Sequence, residues 1–344
     1  MAEIRCCILG ATGFIGGQIA RAAVARGWQV RGMRRRPEAV GAIGDLEIEW
    51  VSGDLSDPAS LVAAMRGCPL VFHAAGYYPQ RARNVWETIR YGVSTMRNAL
   101  TAAATAGVRR IVYTSALTTV GPSADPARLA NEQDLYTPGS VQEPYFEVKW
   151  MMEMEALRAT VHGLPVVVVL PTLVLGPGDV KPTTGALLLM AARGRIPGYV
   201  EGSINVVDVR DVAAGHIAAA AKGKPGQRYI LGGHNGTFQE MLAGMAQVAW
   251  RKPPRARLSP GLVRAVAQVG GLLRIPGTHH LRAIRLWQPL DTTRARQELG
   301  LADPIPFVQT CYDALAWFHE HGYIKRAPVA PQPETPAEQV AGDQ

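Results

Sequence analysis

Ile4-Arg5-Cys6-Cys7-Ile8-Leu9 runs into Gly10-Ala11-Thr12-Gly13-Phe14-Ile15-Gly16, a short apolar stretch followed by a turn with glycine at every third position. A run of that length suits a strand buried on both faces, as in a parallel sheet. The helical pattern after it, Gln18 to Arg26, stops at Gly27, and Trp28–Met33 reads as a second strand. Strand, turn, helix and strand within about thirty residues make a βαβ unit. Glycines in its first turn let a diphosphate approach the helix N-terminus, where amide N–H groups and the helix dipole favour negative charge. Three glycines also serve ordinary turns, but their place at the first βα junction favours a nucleotide. Gly10, Thr12, Gly13, Phe14, Ile15 and Gly16 are therefore expected to cradle a dinucleotide.

Outward from this unit the alternation continues. Glu47–Val51 reads as a strand, Pro58–Met65 as a helix, Leu70–His73 as a strand, Val85–Ala106 as a helix and Arg110–Tyr113 as a strand. A helix over Tyr145–Val161 and a β-branched strand, Pro165–Leu170, close the series. Such spacing predicts an α/β fold, a Rossmann-type doubly wound parallel sheet with right-handed crossovers. After Leu170 the alternation loosens into Gly176-Pro177-Gly178-Asp179 and Lys181-Pro182-Thr183-Thr184-Gly185. The expected organisation is a dinucleotide-binding domain over 1–170, to which 205–232 returns, and a smaller, discontinuous substrate-binding cap, mainly 171–326. Asp211 is expected to N-cap a helix running to Ala221. Residues 327–344, rich in proline and without periodic apolar positions, are expected to be a disordered tail.

The chain has 344 residues, 47% hydrophobic and 19% charged, enough apolar material for a substantial core. No apolar run is long enough to span a bilayer. Neither a signal nor a transit peptide is evident, and Cys6, Cys7, Cys68 and Cys311 have no disulfide or zinc spacing. A cytoplasmic protein is the expectation. The eight histidines show no metal-binding spacing, so no metal is expected. The net charge of +8 resides in 251–296, which holds ten Lys/Arg and Asp291 as its one acid. No nucleic-acid motif accompanies it, and a solvated or anion-facing surface is favoured. Within it Leu258–Ile275 is apolar with two arginines. A cap helix packed on its own domain is the favoured reading there, and weak membrane-surface contact through 251–296 the alternative.

The residue ending the second strand selects the dinucleotide, since an acid there meets the 2′-hydroxyl of NAD and an arginine accepts the 2′-phosphate of NADP. Arg34 and Arg35 stand there with no acid between 30 and 37, which favours NADP over a merely solvated strand end. Asp54, beside Leu55, is either an adenine contact or a turn residue. Tyr145 and Lys149, four apart on a helix, share a face. A phenol titrates near 10, too high for neutral-pH proton transfer, and a neighbouring ammonium lowers that value.

Gly10–Gly16, Gly53-Asp54-Leu55, Ala74-Ala75-Gly76, Tyr145 with Lys149, and Leu170-Pro171-Thr172 resemble the extended short-chain dehydrogenase/reductase superfamily, the NAD-dependent epimerase/dehydratase family. The similarity covers about 4–324. Within it, 176–183, Asn205 through His216 and Arg228 through Gly233 look most like the hopanoid-associated sugar epimerase group. That group lies near the dihydroflavonol 4-reductases and 3β-hydroxysteroid dehydrogenases. The resemblance implies Tyr145 as general acid/base, Lys149 as its electrostatic partner, and Ala74, Ala75, Gly76, Pro171, Thr172 and Leu173 lining the cofactor; Tyr145 and Lys149 are expected to contact the cofactor too, Lys149 at the nicotinamide ribose. It also suggests a monomer or homodimer.

Two positions depart from the family. Its catalytic Ser aligns with Ala116 and its Asn with Tyr91. Thr118, which faces the same way as Ala116 if the strand continues, is the expected substitute. The reading that results is an NADP(H)-dependent oxidoreductase interconverting a ketone and a secondary alcohol on a mainly apolar small molecule. A nucleotide-sugar epimerase/dehydratase is the alternative, and a weakly catalytic or non-catalytic NADP-binding sensor the second alternative.

Overall fold

The computed structural model describes residues 4–76, 84–141, 143–259, 261–263, 265 and 287–331. Ten strands follow one another among them. The first six are β1 (Arg5–Leu9), β2 (Gln29–Arg34), β3 (Glu49–Ser52), β4 (Leu70–His73), β5 (Arg110–Thr114) and β6 (Val166–Pro171). The remainder are β7 (Leu173–Leu175), β8 (Ser203–Asp208), β9 (Arg228–Leu231) and β10 (His234–Thr237). Seven of them form one sheet in the order β3-β2-β1-β4-β5-β6-β9. Every pairing in it is parallel. This is the doubly wound sheet that the alternation predicts. Its order reverses at β1, between β2 and β4, so a crevice opens there at the carboxyl ends of the strands.

Both faces are covered, which is why the strands are apolar throughout rather than alternating. On β6, Val166, Val168 and Leu170 pack into one core cluster and Val167 and Val169 into the other. The first cluster takes its helical side chains from α2 (Pro58–Met65), α3 (Val85–Thr105) and α4 (Pro144–Val161), among them Leu61, Met96 and Met152. The second takes Ile19 from α1 (Phe14–Val24) and Val212 from α6 (Val209–Lys222).

The loosened stretch after Leu170 holds a feature the sequence reading does not contain, a second sheet in the order β10-β8-β7. β7 pairs parallel and β10 antiparallel with β8. A third apolar cluster backs it, with Leu188 of α5 (Gly185–Ala192), Met241 of α7 (Phe238–Val248) and Phe318 of a helix over Phe307–Glu320. That last helix is α9, and α8 (Thr293–Leu299) precedes it.

Most element boundaries lie within two residues of expectation; the start of α1 and the cap of α6 differ by more. α1 begins at Phe14, four residues before Gln18, because Gly13 is extended and already serves as its N-cap. Asp208, not Asp211, caps α6: it ends β8 in an extended conformation, and its carboxylate accepts the Arg210 N–H at 2.7 Å. Asp211 lies inside the first turn and accepts the Ile305 N–H instead, at 2.9 Å. Residues 327–331 of the expected tail are described, and Val329 N–H donates to the Val248 carbonyl at 2.8 Å. Residues 332–344 lie outside the described residues, as does most of Leu258–Ile275.

Candidate functional site

The turn between β1 and α1 is built of backbone. Gly10 has φ 88°, in the left-handed region, and a Cβ there would stand 2.7 Å from Ala75 N. A Cβ on Gly16 would stand 2.1 Å from the Gly10 carbonyl oxygen. The Gly13 N–H donates to that same oxygen at 2.9 Å. These contacts fix the turn and bring Ala74–Gly76, which follows β4, directly against it. No side chain caps α1 and its first turn carries no acid, so the amides at its start face outward for an anion. Thr12, Phe14 and Ile15 are half-buried around this end. Gly176-Pro177-Gly178, after β7, reaches back to α1 through a Gln18 Nε2 donation to Pro177 O at 2.9 Å.

At the end of β2, Arg34 is half-buried with its guanidinium over the Trp50 ring, 4.8 Å from the centroid. Arg35 is exposed. The acids nearby are engaged elsewhere: Glu38 pairs with Arg36, and Glu49 with Arg5 and Arg31. Asp54 Oδ1 accepts from both the backbone N–H and the hydroxyl of Ser56, at 2.8 and 2.6 Å. Asp54 thus serves the turn through Oδ1, and those two bonds, with a smaller contribution from Arg35, hold its carboxyl below the ordinary value. Leu55 packs against the α2/α3 core.

Tyr145 and Lys149 sit on the first turns of α4, which starts at Pro144 and so needs no N–H there. Glu147 clasps the preceding loop to it, accepting from the Tyr136 hydroxyl at 2.6 Å and the Gly139 N–H at 2.8 Å. Tyr145 is half-buried, its ring edge-on to Phe146. Lys149 is buried; Nζ donates to the Thr114 carbonyl at 3.4 Å and would lie 3.6 Å from a Cβ on Gly76. Its head therefore lies at the carboxyl ends of β4 and β5, beside the switch point. Burial lowers its pKa to about 8, against the raising effect of Glu153 one turn on.

Thr172 and Pro171 are buried and Leu173 part-buried, at the end of β6 and the start of β7. The Thr172 hydroxyl is committed to Asn205 Oδ1 at 2.8 Å. The premise behind Thr118 is corrected: β5 ends at Thr114, and Leu117–Thr119 is a turn of 3-10 helix. Strand alternation does not reach Thr118, because Ala116 is the N-cap of that turn. Even so, Thr118 Oγ1 is buried and meets no hydrogen-bond partner among the described residues. Tyr91 lies on α3 and is 43% exposed, outside the core that an Asn on that helix would have to reach from.

Sequence reasoning passed over the ionic floor beneath the pair. Glu153, fully buried, accepts from the Ser115 hydroxyl and pairs with Arg228 of β9 at 2.6 Å. Its spacing from Lys149, four residues on the same helix, was the available signal. His73, the last residue of β4, is buried with neither ring nitrogen meeting a partner among the described residues. Burial, reinforced by the Lys149 charge, lowers its pKa to about 4. No group of three or more metal-ligating side chains occurs among the described residues. The backbone cradle, the bare helix N-terminus and the arginine at the strand end all fit a nicotinamide dinucleotide.

Known proteins agree with this architecture. The family model for the NAD dependent epimerase/dehydratase family matches residues 6–232. A putative dihydroflavonol 4-reductase from Synechocystis is 34% identical over 331 residues, 92% of this chain and 95% of its own. Sterol demethylase protein B of Methylococcus capsulatus is 32% identical over 327 residues, covering 92% of this chain and 99% of its own. The crystal structure of a nucleoside-diphosphate-sugar epimerase from Pseudomonas aeruginosa superposes with a TM-score of 0.81 at 28% identity, over 94% of this chain and 99% of that one.

Proposed function

The chain belongs to the NAD-dependent epimerase/dehydratase family of extended short-chain dehydrogenase/reductases, and on that premise we propose that it is an NADP(H)-dependent oxidoreductase interconverting a ketone and a secondary alcohol. The observation that carries the cofactor choice is Arg34, held over Trp50 at the end of β2, with Glu38 and Glu49 paired to other arginines. With Arg35 it would take the 2′-phosphate. Gly10, Thr12, Gly13, Phe14, Ile15 and Gly16 would hold the diphosphate. Asp54 and Leu55 would flank the adenine. Ala74, Ala75, Gly76, Pro171, Thr172 and Leu173 would line the nicotinamide half. The names of the reductase and sterol relatives support a mainly apolar substrate.

When bound, the reduced dinucleotide supplies hydride to the carbonyl carbon. Tyr145 gives its phenolic proton to the carbonyl oxygen as that oxygen gains charge, so hydride and proton together turn C=O into CH–OH. Lys149, its ammonium one helical turn away and shielded from water, stabilises the phenolate left behind. Thr118 Oγ1, buried and without a hydrogen-bond partner among the described residues, is the hydroxyl to hold the substrate oxygen where the family places a Ser.

The epimerase/dehydratase reading keeps support from the 28% identity to the Pseudomonas enzyme named for that activity. Cofactor titration by nicotinamide fluorescence, followed by turnover of dihydroflavonol and 3-ketosteroid substrates, tests the proposal. Loss of a charge-assisted bond is worth about 1.5–3 kcal/mol, so NADPH should bind about tenfold to a hundredfold more tightly than NADH. Arg34→Asp should erase that preference. Tighter binding of NADH by the unaltered chain would overturn the NADP assignment.

A further inference from the structure

Trp250 stands where a helix C-terminus ordinarily takes glycine. It follows Ala249, the C-cap of α7, with φ 54°, and the next N–H, of Arg251, donates to Ala246 O at 3.0 Å. Among the described residues it is the non-glycine with positive φ, a conformation that a bulky side chain adopts against its local preference. Yet its ring is not buried to repay that strain; it is 56% exposed.

Cations from three stretches are linked around the end of α7 that carries it. Arg326 lays its guanidinium over the ring, 5.1 Å from the centroid. Arg251 donates from Nε to Ala192 O at 3.0 Å, tying the α7 end to the end of α5. There Arg193 bonds Tyr323 O, and the Arg195 N–H returns to Met190 O at 2.9 Å. Lys252 and Arg255 continue outward, exposed. Residues 190–200, 246–259 and 321–331 contain no Asp or Glu. Of the two acids that adjoin them, Glu201 pairs with Arg257 at 2.6 Å and Glu320 is an exposed acid at the end of α9. Met190, 42% exposed, adds an apolar side chain to the same surface.

From this juxtaposition we propose that the Trp250 face of the cap is a docking surface for an anionic lipid bilayer. Clustered Arg and Lys are drawn to acidic headgroups, and an exposed Trp among them is matched to the headgroup level. Nucleic-acid phosphates would attract the same cations. The bilayer is favoured because Arg326 already covers one face of the indole, where a base would stack, and because Met190 has no counterpart in a phosphate backbone. The contact differs from an apolar helix over 258–275, since it is built by three stretches of the folded cap.

Flotation of the full chain with phosphatidylcholine vesicles, alone or mixed with phosphatidylglycerol, tests this. The chain should float with the mixed vesicles at low salt, stay behind with phosphatidylcholine alone, and be released at high salt. Lys252→Gln with Arg255→Gln should weaken partitioning about fivefold for each cation removed. Trp250→Gly relieves the left-handed position, so Tm should hold or rise while vesicle binding falls. Absence of flotation with phosphatidylglycerol would overturn the proposal. So would binding unchanged in both variants, or capture by an oligoribonucleotide without capture by the mixed vesicles.

Discussion

At the scale of single residues, the roles proposed for Tyr145 and Lys149 each make a separable prediction. Tyr145→Phe removes the transferable proton and should lower ketone reduction by about 10²–10⁴-fold, with dinucleotide affinity preserved. Lys149 is charged below about pH 8 and loses its proton as pH rises through that value, so support for the phenolate is lost on the alkaline side. The reduction rate should therefore decline above about pH 8, and a profile flat to pH 10 would contradict the role given to Lys149. Ala116→Ser would restore the hydroxyl that the family places there. It should raise the rate about tenfold or more and make Thr118→Val harmless, whereas Thr118→Val alone should be slow. The Tyr/Lys spacing and the departures at 91 and 116 are visible in one dimension. The Thr118 hydroxyl, without a partner among the described residues, and the Ser115–Glu153–Arg228 floor are not, since they depend on residues brought together only by β5, α4 and β9.

Among elements, the first βα turn is the one whose sequence and structure agree most closely. Its glycines mark a place where backbone must touch backbone, and Gly16→Ala puts a methyl 2.1 Å from the Gly10 carbonyl oxygen. That variant should lose dinucleotide binding together with thermal stability, measured by fluorescence titration and Tm. The strand-helix alternation was legible through β6 because strands buried on both faces are continuous apolar runs. It failed at the cap sheet for equally physical reasons. β7 spans three residues, and β10 is His234-Asn235-Gly236-Thr237, a strand with no apolar side chain to betray it. The cap of α6 was misplaced by three residues because Asp208 and Asp211 are equivalent as letters. What separates them is that β8 runs to Asp208 and leaves no loop before the helix.

For the whole molecule, two buried histidines, His73 at the end of β4 and His216 on α6, contribute to the response to acid. His216 is locked between Thr114 Oγ1 at 2.8 Å and the Val212 carbonyl at 2.7 Å, and burial lowers its pKa to about 4, as it does for His73. Between that value and the ordinary 6.5 the unfolded chain binds protons that the folded one does not. Their contribution to stability is complete above about pH 6.5 and is lost as pH falls toward 4, on the order of 1 kcal/mol per pH unit for each ring. Urea unfolding across that window should show the decline, and His216→Leu should make it shallower; equal slopes in both proteins would contradict this.

The central claim is that the whole assembly moves hydride between NADPH and an external carbonyl. It is tested most directly with NADPH carrying deuterium at C4, each C4 epimer supplied separately, and a lipid and polar metabolite extract searched by mass spectrometry. The expected result is a product one deuteron heavier with one epimer, absent in the Tyr145→Phe control. No labelled product with either epimer would contradict an external reduction. It would instead favour a dinucleotide that returns its hydride to the same substrate, or a chain that binds nucleotide without turnover.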